Sequence, residues 1–389
     1  MTETIHDLVE PVRRLPNDPE EPPTDGVAVC LSGGGYRAML FHTGVLWRLC
    51  ETRWLLQVDR ISTVSGGSLT AAVLAIAWQS LTEADDPRRR FSELVVEPLR
   101  ALASRTIDRS SVVSGLLSPF STVGEQLEAE LRKHLLGDAK LADLPRSPVF
   151  VFNATNTGSG KLVRFSRAGV ADWRVGRVAD PGLRLSAAVA ASSAFPPFLS
   201  PYRLDLSEAD WIDDEGNDLT GAEYRDELAL TDGGVYDNLG LETAWKRCRT
   251  MFVADAGGIL EPEPAPAKDW AQHMVRVTQV LDHQVRSLRK RQVLDSFRQG
   301  SRTGAYVGIR SDITKFPAAK LLAAPFDDTT ELAGIKTRLK ELSSRDQERL
   351  INWGYAAADA GLRSHIDPGA SPPAEYPYSG GVSSTGDQR

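Results

Sequence analysis

Three short segments hold the residue types that ester chemistry needs. Cleaving an acyl ester takes an activated nucleophile, a base to receive its proton, and N–H donors aimed at the developing oxyanion. Thr63-Val64-Ser65-Gly66-Gly67 offers the nucleophile: Ser65 would sit on a sharp strand-to-helix turn, with a helix N-terminus behind it favouring negative charge. Thr63 stands where G-x-S-x-G has its first glycine, and a Ser-Gly-Gly-Ser ahead of a helix is also a plain capped turn. Leu31-Ser32-Gly33-Gly34-Gly35-Tyr36-Arg37-Ala38 offers the donors, because Gly33, Gly34 and Gly35 leave successive N–H groups free to point into one concavity. Arg37 adds a fixed positive charge nearby. A nucleotide phosphate loop and a structural turn are the rival readings. No Gly-Lys-Ser/Thr follows, Ala38 replaces the last glycine of a dinucleotide fingerprint, and no acidic residue obviously closes a ribose site. The third segment, Leu228 to Asn238, delivers Asp232 into a Gly233-Gly234 turn that lets other backbone approach its carboxylate, although structural aspartates in Asp-Gly turns are common.

Stepping outward, the patterns around these segments alternate between strand and helix, which favours an α/β layered fold. Val27 to Leu31 is a short apolar run fit for a buried strand, and the helix after it carries Met39, Leu40, Leu46, Trp47 and Leu49. A second strand near Val58 to Val64 leads through Ser65 into the apolar helix LTAAVLAIAW. Thr122-Val-Gly-Glu125 has capping-box spacing ahead of Leu127, Leu131 and Leu135. Strands are expected at 148–155, 161–166 and 251–256, and a polar, acidic surface excursion at 204–227. EPEPAPA (261–267) is a stiff linker before a long helix whose Trp270, Met274, Val277, Leu281, Val285 and Leu288 share one apolar face. The Leu- and Val-rich span 80–145 reads equally as a cap over an acyl channel or as core. Residues 1–25 are a Pro- and acid-rich mobile lead-in, 26–365 one α/β domain, and 366–389 a disordered Pro/Gly/Ser-rich tail.

The bulk properties narrow the partners. Forty-five Lys and Arg against 52 Asp and Glu give a net charge of −7, which disfavours nucleic acid and any general attraction to anionic lipid. Three dispersed cysteines, Cys30, Cys50 and Cys248, suit a reducing compartment without disulfides or a zinc knuckle. No secretory signal and no run of about 20 apolar residues is visible, so the expected location is cytoplasmic, with transient contact at a membrane surface left open. No cofactor or metal is expected. The acidic run Asp213 to Asp218 lacks the terminal glutamate spacing of a calcium loop.

Taken in order, SGGGYRA, TVSGGS and DGGVYDN resemble the patatin-like phospholipase superfamily, and the first is similar to the glycine loop of cytosolic phospholipases. Ala190 to Phe198 (AASSAFPPF) resembles the Ala/Ser-rich helix end and Pro loop before that family's aspartate, and Asn153 to Gly158 its strand and turn. The resemblance covers roughly residues 26 to 260. It implies a doubly wound, mostly parallel sheet flanked by helices, with a helical cap-like insertion. It implies that Ser65 attacks the acyl carbonyl of a phospholipid or related lipid, and that Asp232 takes its proton directly. It also implies an oxyanion hole at Gly33, Gly34 and Gly35, and an Arg37 that stabilises substrate charge. A soluble esterase, a thioesterase, an acyltransferase or a non-catalytic lipid-binding module of the same fold are the alternatives. Oligomeric state is not readable from the chain.

The histidines favour a dyad over a triad. His6 and His365 lie in or beside the ends, His134, His273 and His283 sit on amphipathic helices, and only His42 is near the glycine loop. An aspartate with an ordinary pKa of about 3.9 is a weak base toward serine, so the Asp232 site should be partly dehydrated. Arg88 to Arg90 and Arg286 to Arg291 are expected to be solvated helix faces, or else contacts to lipid phosphate.

Overall fold

The computed structural model describes residues 24–107, 123–179, 182–214 and 216–384. The proposed lead-in (all but its last two residues), the Thr122 cap position and residues 108–122 lie outside the described residues.

Eleven strands form one sheet among the described residues: β1 (Thr24–Leu31), β2 (Arg60–Thr63), β3 (Val149–Asn156), β4 (Lys161–Ser166), β5 (Gly169–Asp172), β6 (Gly176–Val178), β7 (Tyr202–Asp205), β8 (Trp211–Ile212), β9 (Glu227–Asp232), β10 (Cys248–Asp255) and β11 (Thr303–Gly308). The order β11-β10-β1-β2-β3 is parallel throughout, and β4, β5, β6 and β8 extend it antiparallel. Alternate residues of the central strands serve opposite faces. Val29, Leu31, Phe252 and Ala254 join the larger core, while Ala28, Cys30, Met251 and Val253 join a smaller one with Leu239, Leu241 and Ala244. The expected doubly wound α/β sheet is present.

The main helices are α1 (Gly35–Glu51), α2 (Gly66–Thr82), α3 (Val123–Leu131), α4 (Leu185–Ser192), α5 (Trp270–Arg298) and α6 (Ser344–His365). Helix α1 is buried from Gly35 through Cys50, polar residues included. Two features permit this. A side chain at Gly44 would collide with the Ile351 carbonyl, and one at Gly354 with the Phe41 carbonyl, so α1 and α6 cross almost backbone to backbone. The buried Arg48 is met by Asp359 at 2.8 Å, which also takes Arg363 at 2.7 Å, so the charges inside are paired.

Of the two readings of the 80–145 span, core fits its described parts: Phe91, Val95, Val96, Leu99, Leu102, Leu127 and Leu131 pack into the main core. One expectation about organisation changes. Residues 366–384 are not a disordered tail. Asn352 Nδ2 donates to the Tyr378 and Gly381 carbonyls at 2.8 Å, Arg349 Nε to the Val382 carbonyl at 2.9 Å, and Val382 is buried. A Pro/Gly/Ser segment cannot build its own core, but polar side chains of α6 satisfy this one's backbone while Tyr378 packs edge-on to Trp47.

Candidate active site

The topology explains why residues so distant in sequence meet. β2 runs along the first half of β3, with Thr63 opposite Phe152, while β9 runs the opposite way along the second half and ends with Asp232 opposite Ala154. Two strands thus approach head-on along the same side of β3. Their ends stand two residues apart on it, roughly 7 Å at strand rise. Ser65 follows one end and Asp232 forms the other.

Ser65 stands on the bend before α2 with φ 50° and ψ −118°, a left-handed conformation that costs a non-glycine residue on the order of 1–3 kcal/mol. The bend is held from several sides. The Ser65 N–H donates to Ser192 Oγ at 3.0 Å, and Ser192 Oγ pairs with Ser68 Oγ at 2.8 Å, which reaches Thr63 Oγ1 at 2.9 Å. Asn153 Nδ2 donates to the Thr63 carbonyl at 2.9 Å. The end of α4 fixes Asp232 as well: its N–H donates to the Ala194 carbonyl at 2.9 Å, while Thr155 Oγ1 donates to its carbonyl at 2.9 Å. One segment, Ser192 to Ala194, therefore sets both halves of the pair.

The Asp232 carboxylate is 3% exposed. Its Oδ1 accepts the Gly234 N–H at 2.7 Å, whereas Oδ2 has no full hydrogen bond among the described residues. Burial pushes the carboxyl up to about 7, against the lowering effects of the Gly234 N–H and the neighbouring Ser65 hydroxyl. The hydroxyl is thus close enough to act on the carboxylate without a full hydrogen bond to Oδ2. The dehydration expected for this aspartate is present.

The glycine loop and the Ser65 turn abut. A Cβ on Gly33 would lie 3.2 Å from the Ser65 Cβ, and one on Gly66 would strike the Gly35 carbonyl. Gly34 (φ 143°) and Gly35 (φ 61°) both use backbone conformations that side chains disfavour. Among the described residues, nothing accepts from the N–H groups of Gly34, Gly35 or Gly66, so the glycine loop and the Ser65 turn together hold three free donors. Gly33 differs from the expectation: its N–H donates to the Asn238 carbonyl at 3.1 Å and is already engaged. Gly66 was missed, although the residue after a nucleophile on such a bend commonly supplies a donor.

Arg37 is also not where a substrate cation would stand. It is 2% exposed, and its Nε and Nη2 donate to the Ala256 carbonyl at 3.2 and 3.0 Å. Nη2 also donates to Thr337 Oγ1 at 2.9 Å, and Nη1 to the Ile335 carbonyl. Burial first, and then Arg286, lowers it to about 10, with Asp255 opposing. The side chain ties the glycine loop to the segments at Ala256 and 335–337. His42 is equally withdrawn: fully buried, with Nε2 3.0 Å from the Ser32 carbonyl, it is lowered by burial to about 4 and stays neutral. Of the Arg286–Arg291 cluster, Arg286 turns inward to the Gly258 carbonyl at 2.6 Å and Arg289 pairs with Glu242 at 3.0 Å, so the cluster is only partly a solvated face. Among the described residues, no group of three or more His, Cys, Asp or Glu is arranged to hold a metal ion.

With this geometry in place, comparison with known proteins is decisive on one point. The patatin-like phospholipase family model matches residues 29–245, more than half of the chain, from β1 through the turns after β9. The chain belongs to that family. The matched span contains the glycine loop, the Ser65 bend, the Ser192–Ala194 clamp and Asp232. No curated protein matches the sequence. Among solved structures, human GIVD cytosolic phospholipase A2 shares the fold at a TM-score of 0.52 and 13% identity, over 87% of this chain and 61% of that one. The same human enzyme in complex with methyl gamma-linolenyl fluorophosphonate aligns at 0.48 and 14% identity, over 86% of this chain and 57% of that one. VipD from Legionella pneumophila aligns at 0.36 and 13% identity, over 88% and 67%. This chain therefore spans about three fifths of the human phospholipase's length.

Proposed function

We propose that this chain is a serine acyl hydrolase that cleaves carboxylic esters of phospholipids or related lipids through an acyl-Ser65 intermediate. The observation that carries the reading is a serine on a strained bend next to a buried aspartate whose Oδ2 has no full hydrogen bond among the described residues. Membership of a phospholipase family and the shared fold support lipid as the substrate class.

In this mechanism Ser65 Oγ attacks the acyl carbonyl carbon while Asp232 Oδ2 takes the hydroxyl proton. The carbonyl oxygen becomes an oxyanion facing the N–H groups of Gly34, Gly35 and Gly66, whose dipoles are already fixed. Collapse breaks the ester C–O bond, and the proton on Asp232 passes to the departing alkoxide. Water then attacks the acyl-serine, giving its proton to Asp232, and the carboxylic acid leaves as Ser65 recovers that proton. No histidine takes part. Arg37 acts as a positioning residue for the glycine loop.

Ser65→Ala and Asp232→Asn should each reduce turnover of a short-chain nitrophenyl ester and of phospholipid by several orders of magnitude, about 10³-fold or more, with unchanged circular dichroism. Undiminished turnover in either folded variant removes that residue from the mechanism.

A further inference from the structure

Helix α5 leaves most of its apolar residues in solvent. Trp270 is 81% exposed, Leu281 61%, Met274 54% and Leu288 51%, and Val285 is exposed with them. With the half-buried Val277 they recur at helical spacing, forming one row along about 27 Å of helix. A continuous apolar row of this length on a protein surface marks a place of contact. The helix is anchored at its C-terminal end, where Val293 and Ser296 are buried and Phe297 packs on the smaller core, so the row projects from a fixed base.

Charge selects the occupant. α5 carries six Lys and Arg against two Asp, a net +4 within a chain of −7. Lys290, Arg291 and Arg298 are exposed, and Arg291, three residues after Leu288, flanks the row. A second copy docking on this helix would bring like charges together. An anionic lipid surface satisfies both features at once, with apolar side chains entering the acyl boundary and cations meeting headgroups. The overall negative charge is not decisive at contact, because screening limits its reach to about 8 Å at physiological salt.

Position adds a second argument. The inner face of α5 borders the Ser65–Asp232 site: Asp282 raises the Asp232 carboxyl by like charge, and α5 packs against the Gly234–Asp237 turn, where Val235 is 50% exposed. Phe195 and Phe198, 44% and 53% exposed, project from the loop whose Ala194 carbonyl holds Asp232.

We propose that α5 is a lipid-docking helix. Its outward apolar row enters a bilayer bearing anionic headgroups, and its seat beside Asp232 turns the mouth of the site toward that bilayer. This inference rests on the lipid acyl hydrolase reading and goes beyond it by naming the surface that meets the lipid.

The test is flotation of the full chain with vesicles of phosphatidylcholine alone, and of phosphatidylcholine with about a third phosphatidylserine. Binding is read in the Ser65→Ala background, where no lipid is consumed. The expected result is binding that is tighter to the phosphatidylserine vesicles and weakened by salt. Adding Met274→Glu and Leu288→Glu should lower the partition coefficient roughly tenfold or more. The same double substitution on the Ser65 enzyme should leave its melting temperature and its turnover of a water-soluble ester unchanged. Equal binding with and without the double substitution overturns the proposal, as does absence of binding to either vesicle. So does a dimer in sedimentation velocity that the double substitution dissociates, which would make a second copy the occupant. Soluble-ester turnover without flotation removes docking and leaves the hydrolase standing; flotation without turnover does the reverse.

Discussion

Helices α1 and α5 both carry long apolar rows, yet one is buried along almost its whole length and the other is largely exposed. In α1 every residue from Gly35 to Cys50 is buried, including Arg37, His42 and Arg48. In α5 only Val293 and Ser296 are, while Trp270 stands 81% in solvent. Periodicity states which side of a helix is apolar; it does not state what covers that side. For α1 the cover is α6, brought to backbone distance by Gly44 and Gly354, with Asp359 pairing the Arg48 that the burial traps between them. Among the described residues, no equivalent close helix crossing covers the outer side of α5.

That contrast can be broken by mutation. Gly354→Val forces a branched side chain into the Phe41 carbonyl and should cost on the order of 3 kcal/mol or more, or prevent folding. Leu288→Glu on the outer row should change stability by less than about 0.5 kcal/mol in chemical denaturation. Similar losses at both positions would mean that the α5 row is covered in solution.

Asp232 shows what burial does where hydrogen bonds offset it only in part. The folded pKa of Asp232, about 7, lies above its ordinary 3.8. The folded protein therefore holds this proton more tightly than the unfolded chain. The associated stability is complete below pH 3.8 and is lost as pH rises through about 7, on the order of 4 kcal/mol in all. Asp232→Asn, which cannot ionise, should melt at a higher temperature than the parent at pH 8, by a margin that shrinks toward pH 5. A margin independent of pH would contradict the partly compensated carboxylate. In the proposed mechanism the same ionisation governs catalysis: kcat/KM for a soluble ester should rise with a single limb near pH 7, because only the carboxylate would accept the Ser65 proton. Asp282→Asn removes a like charge and should move that limb to slightly lower pH, the smallest of these effects. A limb that shifts the other way, or not at all, places Asp282 outside the field of the site.

Much of this was legible in the residue order. The strand–turn–helix pairs around Gly33 and Ser65 and the strand into Asp232 follow from short apolar runs ending in glycine, and β4 lies at 161–166 as the pattern indicates. Ser65 and Asp232 were legible as candidates, from the glycine turns that follow each of them and from the family resemblance of those turns. What was not legible depends on contacts between distant segments. The Gly33 N–H is engaged because Asn238 happens to face it, and Arg37 is turned away because the Ala256, Ile335 and Thr337 acceptors lie behind the loop. The ordered path of residues 366–384 depends on Arg349 and Asn352, which no reading of the tail's own composition reveals.

In the proposed mechanism Ser65 is activated by Asp232 beside N–H groups that are free among the described residues. Labelling the folded protein with a fluorophosphonate probe and mapping the modified peptide tests it most directly. The expected result is a single adduct on Ser65, formed faster above pH 7 than below, and nearly abolished in Asp232→Asn. An adduct on another residue, or equally rapid labelling of Ser65 in Asp232→Asn, would contradict it.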